Sequence, residues 1–541
     1  MINLIFIIIL AFTIRIINPT FGSPALYTVP DEVPNYLAAF EMLSQKTLIT
    51  SSQYPPLGSY VLIPFFGATY LFLWLTHHVS NISQFELFIL THEGYLLFIP
   101  RLISALFGTA SLLIVYKLTR LILPKRPNVA FWATFIVAFS TTHVQLSHIG
   151  KPWMPSQFFY LLGIYWCYKS LDKVQQQIKF IFFSALSFVL AIGFHFSAIY
   201  GLLLLLLLFL QSKRKILPYN QSLLTLTVLI GIPLVSLSLY KMLMTYTYQL
   251  SEFQNILTAN INQGLLSGLG FYTKEFILTE PMLFILLLIS IFMVKHWPKL
   301  LLPIMSYSTI YFLIMAITFY QSLRYLLPII PLLSIPAAFV LNHILVSVKN
   351  KYVLTISTGL IILLLIFPSL LWLSRYNNTP TFIEMQTWLN RHIDPNLQIA
   401  LTSIRFSPFV PDREAMKVMQ VFKPSAWGQL AKVLTPKDYP ETVRNVVYLE
   451  ITKQGDDPDK TFAYAQNQKI KYIIQLFWTS EKRLVTHAPP HWRLIKHITP
   501  RHTTSLEPLT NLIHGSANVY ELLHVNRFGP YIDVLEFNEF L

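Results

Sequence analysis

Charge is what this sequence has least of. Only 12% of its 541 residues are Asp, Glu, Lys or Arg, against roughly 25% in an average soluble domain. A chain this poor in charge and 54% hydrophobic is neither disordered nor a large water-soluble enzyme. Thiols are almost absent as well. The single cysteine, Cys167, excludes any internal disulfide and sits in an apolar run, where it reads as a small packing residue. Neither a Gly-x-Gly-x-x-Gly turn nor a Walker A loop is present, so the two commonest nucleotide cradles are missing. No internal repeat and no low-complexity tract interrupts the chain.

What fills the space is a series of long apolar runs. No Asp, Glu, Lys or Arg occurs in 127–150, 180–212, 300–323, 325–348 or 352–374. A helix crossing the hydrocarbon needs about 20 apolar residues and satisfies its own backbone polar groups. These runs therefore read as spans. The opening segment 1–14 has no basic n-region and no small-x-small cleavage site, so it reads as a retained helix rather than a removed signal.

The net charge of +15 could suggest nucleic acid, but its distribution decides otherwise. Five short breaks (117–126, 169–179, 213–215, 295–299 and 349–351) hold 14 basic residues and one acid, Asp172. The other breaks before Arg375 net −1, and the remainder nets +3. Short basic loops belong in the cytoplasm. The excess is a topology signal, and no nucleic-acid partner is needed.

Parity then sets the rest. The run 180–212 has basic breaks on both sides, so it is expected to be a hairpin turning near Gly193-Phe-His195-Phe-Ser197 on the outer face. The run 57–74 is expected to lie in or near the outer interface, where Tyr, Trp and Pro suit that depth. The result is an all-α polytopic membrane protein of about 11 spans of ~20 residues each. They are expected at 1–18, 97–121, 128–146, 155–171, 178–194, 195–211, 222–243, 281–297, 300–320, 324–347 and 352–373. The N-terminus is then cytoplasmic and the loop 19–96, with its in-plane helices, external.

From Arg375 the composition becomes soluble. Residues 381–392 have helical periodicity, and 398–403, 445–451, 471–477 and 517–523 resemble strands. A membrane catalytic domain, 1–374, followed by an extracytoplasmic soluble α/β domain, 375–541, is the expected organisation.

Polar residues gather at the outer ends of the spans. The first external loop carries Asp31-Glu32, followed by Gln53-Tyr54-Pro55-Pro56-Leu57 and Arg101-Leu-Ile-Ser-Ala-Leu-Phe-Gly108. The next outer turn is Ser147-His148-Ile-Gly-Lys151-Pro152-Trp153, and Arg324-Tyr325-Leu-Leu-Pro328 opens a later span. The bland reading of Asp31-Glu32 is a solvated cap for a helix over 35–48. The sharper reading is a general base whose pKa is raised by partial desolvation at the membrane surface. For Lys151 and Arg324 the bland reading is a snorkelling cation, and for His148 and His195 a satisfied packing element. A fixed cation at an outer helix end equally suits phosphate.

In their order and spacing these motifs resemble the GT-C superfamily of glycosyltransferases, in particular protein O-mannosyltransferases and bacterial lipid A aminoarabinose transferases. The resemblance covers roughly 1–372. It implies a sugar donor on a polyprenyl phosphate and transfer with inversion at the outer face; the compact loops and soluble tail suggest the inner membrane of a bacterial cell. The acceptor would be a hydroxyl of a lipid, glycan or protein. Within the acidic pair it implies Asp31 as the base, with Glu32 beside it. His148, Lys151, His195 and Arg324 are the candidate contacts for phosphate or acceptor, with Tyr54, Trp153 and Tyr325 as further substrate-binding residues. Arg101 is expected to orient an acidic group of the first loop at the same substrate site. Two positions depart from the relatives. Gln53-Tyr54 stand where some carry Glu-Lys, which removes an acidic metal ligand, and Trp153 stands where many carry Asp or Tyr. Both count against a bound divalent cation, and no other cofactor is implied. Trp153 suits an interfacial anchor or a stack on a sugar face.

Two other functions share this topology. A transporter or flippase would show internal repeats and ionisable residues at mid-membrane. An oligosaccharide polymerase or ligase would lack the early Asp-Glu pair.

Overall fold

The computed structural model describes residues 2–23, 32–48, 54–172, 176–212, 231–242, 264–317, 322–402, 445–449, 457–480, 483–502, 506 and 517–538. In chain order the first helices are α1 (Ile2–Ile16), α2 (Val33–Gln45), α3 (Leu57–Leu75), α4 (Ile82–Thr91) and α5 (Glu93–Ile122). Next come α6 (Pro127–Ala138), α7 (Thr141–Ser147), α8 (Trp153–Asp172), α9 (Gln177–Phe194), α10 (Gly201–Ser212) and α11 (Ile232–Met242). Then follow α12 (Leu265–Thr279), α13 (Pro281–Phe292), α14 (Leu302–Ile317), α15 (Ile330–Ser347) and α16 (Lys351–Tyr376).

Among the described residues six helices are long and apolar enough to cross a membrane: α3, α5, α9, α14, α15 and α16. The number rises to eight if two bent pairs, α6–α7 (57°) and α12–α13 (114°), each count as one span. The chain is thus a multi-pass membrane protein. Several expected spans fall on shorter helices, namely α1, α10 and the stretch of 222–243 described from 231 on, while α8, 20 residues long, is not among the six. Helix α3, expected in the interface, has the length and composition of a span. Helices α9 and α10 are joined through a 3-10 turn, Phe196–Tyr200, where the sequence predicts the turn of a hairpin.

The chain divides into two compact units. The first takes Met1–Ile17, Leu48–Gly58 and Arg101–Trp372. Its bends are held by buried polar side chains. At the α6–α7 break, Glu280 Oε1 accepts from Ser140 Oγ at 2.7 Å and from the Thr142 amide at 2.8 Å. The carboxylate thereby serves the open N-terminus of α7, where backbone N–H groups lack helical partners. The hydroxyl of Ser369 donates to the Phe139 carbonyl at 2.7 Å on the other side of the break. Below it, Arg15 Nη2 donates to His143 Nδ1 at 2.9 Å. Since Arg has no acceptor, Nε2 of that ring carries the hydrogen and faces Ser111 Oγ at 3.0 Å.

The second unit takes Asn18–Thr47, Ser59–Pro100 and Leu373–Leu541. Here Phe40 of α2 stacks on Phe66 of α3, centroids 4.6 Å apart, and Phe21 stacks on Tyr376 at 4.2 Å. Helix α2 starts on Val33-Pro34, with Pro in its first turn. Its cap, Glu32, makes no side-chain capping bond and is fully buried. The solvated-cap reading therefore fails for Glu32. Asp31 lies outside the described residues.

The tail carries α17 (Thr381–His392), β1 (Ile399–Leu401), β2 (Val446–Tyr448), α18 (Pro458–Asn467), β3 (Tyr472–Phe477), β4 (Trp492–Ile498), α19 (Val519–His524) and β5 (Tyr531–Phe537). The sheet order is β2-β1-β3-β5-β4. Strand β1 runs parallel to β2 and β3, while β5 runs antiparallel to β3 and β4. The sheet is mixed and flanked by helices, as expected for a small α/β fold. One expectation is corrected. The segment 517–523 forms a helix rather than a strand, because Asn518 and Glu521 close a reciprocal capping box. The sequence pattern does not announce β4 and β5, since their polar and apolar residues alternate poorly.

Candidate active site

The helical unit brings together residues from four separate stretches of chain. Trp153 opens α8, and its indole is the hub. The Lys151 ammonium lies 5.1 Å from the ring centroid, and the Arg324 guanidinium also lies 5.1 Å from it. Arg324 is in addition 5.4 Å from the centroid of Tyr325. His195, in the turn between α9 and α10, meets Trp153 edge-on at 5.4 Å and Tyr54 at 5.9 Å. Tyr325 completes the ring set, 5.7 Å from Trp153. Lys151, Trp153, Arg324 and Tyr54 are all buried. Cations against aromatic faces in a desolvated setting gain about 2 kcal/mol, so the arrangement can hold two positive charges close together.

The motif around Arg101 explains how the 147–151 turn is built. Ser104 Oγ donates to the Lys151 carbonyl at 3.1 Å. Gly108 faces Ser147, whose hydroxyl would lie 2.4 Å from a Cβ placed there. That hydroxyl in turn donates to the His143 carbonyl at 2.6 Å. Serine and glycine in this helix thus let the 147–151 turn dock closely, and that turn carries Lys151.

Beside the cluster is a small cavity of about 20 Å³, lined by Trp153, Ser156, Gln157, Tyr160, His195, Ser197, Arg324 and Tyr325, together with Ala198, Leu327 and Pro328. No Asp or Glu is among these residues. The Ser197 amide donates to His195 Nδ1 at 3.2 Å, so Nε2 carries the ring hydrogen. Behind the wall, Tyr160 OH donates to Tyr307 OH at 2.6 Å and Tyr311 OH to the Tyr325 carbonyl at 2.8 Å. The second of these bonds holds the Arg324–Tyr325 turn.

Six of the expected contacts therefore meet: Tyr54, Lys151, Trp153, His195, Arg324 and Tyr325. Arg101 and His148 are buried but do not line the cavity. His148 points its Nδ1 at the Val144 carbonyl, 2.8 Å away, and its ring lies 6.5 Å from Trp372, which is a packing arrangement. Glu32 belongs to the second unit. Sequence reasoning missed Ser156, Gln157 and Tyr160. A signal was available: with Trp153 they occupy positions i, i+3, i+4 and i+7, one polar face on an otherwise apolar helix. Among the described residues no group of three His, Cys, Asp or Glu side chains could hold a metal ion.

A multi-pass helical body with a polar, cation-bearing pocket at helix ends, joined to a small mixed-sheet tail, is the build of GT-C glycosyltransferases. The solved structure of ArnT from Cupriavidus metallidurans bound to undecaprenyl phosphate shares this fold. Its TM-score is 0.50 at 11% identity, with 98% of this chain and 97% of that one covered. The oligosaccharyltransferase AglB from Archaeoglobus fulgidus, solved with an inhibitory peptide and a dolichol-phosphate, aligns at 10% identity with a TM-score of 0.47. That alignment covers 99% of this chain and 88% of AglB. No curated protein matches in sequence. The family model of the Alg9-like mannosyltransferases matches residues 4–398, and the chain belongs to that family. It is a membrane glycosyltransferase.

Proposed function

We propose that the protein transfers a sugar, with inversion, from a polyprenyl-phosphate donor to an acceptor hydroxyl at the outer face of the membrane. The observation that supports this most is the pair of cations, Lys151 and Arg324, held on one buried indole beside a cavity lined by no carboxylate. Such a cavity suits a ligand that brings its own negative charge. A lipid-linked sugar delivers its phosphate at helix-end depth while its chain stays among the helices. ArnT, which shares the fold, was solved with undecaprenyl phosphate.

The chemistry is a single displacement. Asp31 takes the proton of the acceptor hydroxyl, whose oxygen attacks the anomeric carbon from the face opposite the phosphate. The bond from that carbon to the phosphate oxygen breaks, and the lipid phosphate departs with one more negative charge. Arg324 and Lys151 meet that charge as it develops, which is where fixed electrostatic groups act most strongly. Glu32 places the acceptor, and Tyr54, His195 and Tyr325 shape the seat. No step runs through a metal. The same reading sets about 11 spans of ~20 residues, a cytoplasmic N-terminus, a catalytic domain over 1–374 and an extracytoplasmic domain over 375–541 in a bacterial inner membrane.

The test is transfer by reconstituted enzyme from a short-chain polyprenyl-phosphate mannose with no nucleotide present. Arg324→Lys keeps the charge but loses the planar fork that can hold two phosphate oxygens, so it is expected to slow transfer. Arg324→Ala is expected to slow it further. Transfer from a nucleotide sugar without any lipid-linked intermediate would overturn the donor assignment.

A further inference from the structure

The cations account for phosphate, and they leave one wall of the cavity unexplained. On α8, Ser156 and Tyr160 have their hydroxyl hydrogens committed, to the Ala191 carbonyl at 2.9 Å and to Tyr307 OH at 2.6 Å. Their neighbours on the same face differ. The indole N–H of Trp153 and the amide nitrogen of Gln157 are buried without any hydrogen-bond partner, and both residues line the cavity. Gln157 is only 3% exposed. Buried polar groups in folded proteins are almost always paired, so two unpaired donors one turn apart on the helix face that lines the cavity point to an acceptor.

We propose that Gln157, together with the indole N–H of Trp153, reads the hydroxyl groups of the transferred sugar and so sets the sugar specificity of the donor. The proposal rests on the reading of this cavity as the seat of the lipid-phosphate donor. A guanidinium or ammonium only donates and matches phosphate oxygens, which only accept. A carboxamide donates and accepts, as a sugar hydroxyl does, so one Gln can engage one hydroxyl in both senses or bridge two neighbours. Helical spacing also matters. Residue 157 lies one turn beyond Trp153 on α8, so the amide sits a turn away from the indole that carries the cations. Phosphate at the cations and sugar against the amide is the order in which the donor's own atoms are joined.

Gln157 is not required for folding by any bond its amide nitrogen makes, which permits a clean test. Equilibrium binding is measured on the full-length protein in nanodiscs. The probes are a short-chain polyprenyl phosphate, bare, and the same lipid carrying mannose, glucose or galactose, with single deoxy analogues of the preferred sugar. Wild type is expected to bind one glycosylated form more tightly than the bare lipid, and to lose that preference when one hydroxyl is removed. Gln157→Met is expected to bind the bare lipid as wild type does. It should bind the preferred form about tenfold more weakly, the worth of one good hydrogen bond, and ignore the deoxy substitution. An unchanged preference in Gln157→Met means that water satisfies the amide and overturns the proposal. So does an equal loss for bare and glycosylated lipid, which would put the amide on the phosphate. A wild type that binds bare and glycosylated lipids alike overturns it too. If wild type fails to bind the bare lipid at all, and Arg324→Ala changes nothing, the donor reading itself falls.

Discussion

Trp153 suits an anchor or a stacking face by sequence, and its position in the fold shows how one residue can order a site. The neighbouring Lys151 meets it together with His195, Arg324 and Tyr325 from two distant stretches of the chain. The catalytic proposal at this scale falls on Asp31. Asp31→Asn preserves shape and removes basicity, so transfer is expected to drop by about 10²–10⁴, while binding of the bare lipid phosphate stays intact. Glu32→Gln is expected to cost less. A single-turnover assay checks both, and near-wild-type turnover of Asp31→Asn would remove it as base. The cationic residues were legible because charge is so scarce that each cation at a helix end stands out. Gln157 was not, since a neutral amide in an apolar run carries no such contrast; only its spacing relative to Trp153 marks it.

Among elements, close helix contacts depend on particular glycines. Gly268 of α12 faces α14 so tightly that a Cβ there would sit 1.8 Å from the backbone oxygen of Ala316. Backbone cannot swing aside as a side chain can, so Gly268→Ala is expected to destabilise by about 1–3 kcal/mol or more. Gly270, two residues on, has open space around it. Gly270→Ala should be neutral or gain up to about 1 kcal/mol from helix propensity. Thermal unfolding of the two variants in detergent compares them directly, and equal midpoints would sink the contact argument. The broken helices follow a similar logic. Periodicity along 127–150 shows only an apolar run; the bend at Ser140 is held by Glu280 and Ser369 from far along the chain. Likewise 517–523 is apolar enough to pass for a strand, and the capping box decides for helix.

For the whole molecule the prediction is topological. Cys167 is the only thiol, so a cysteine-free background needs one substitution. Cysteines introduced at Gln249 or Asn467 are expected to react with an impermeant reagent from outside, and those at Asn128 or Gln176 only after permeabilisation. Labelling at Asn467 only after permeabilisation would put the tail in the cytoplasm. Composition alone determined that the chain lives in a membrane, because uncharged runs of this length have no other stable environment. The sequence likewise determined the uneven placement of basic breaks and the change to soluble composition after Arg375. These are local quantities, summed over neighbours in the chain. The meeting of Tyr54, Lys151, Trp153, His195, Arg324 and Tyr325 is not local. It depends on which helix ends pack together, on Ser104 and Gly108 admitting the 147–151 turn, and on Tyr311 holding the carbonyl of Tyr325. Only the tertiary structure decided that, and it also set Arg101 and His148 outside the cavity, because long-range packing leaves no mark on spacing within any one segment.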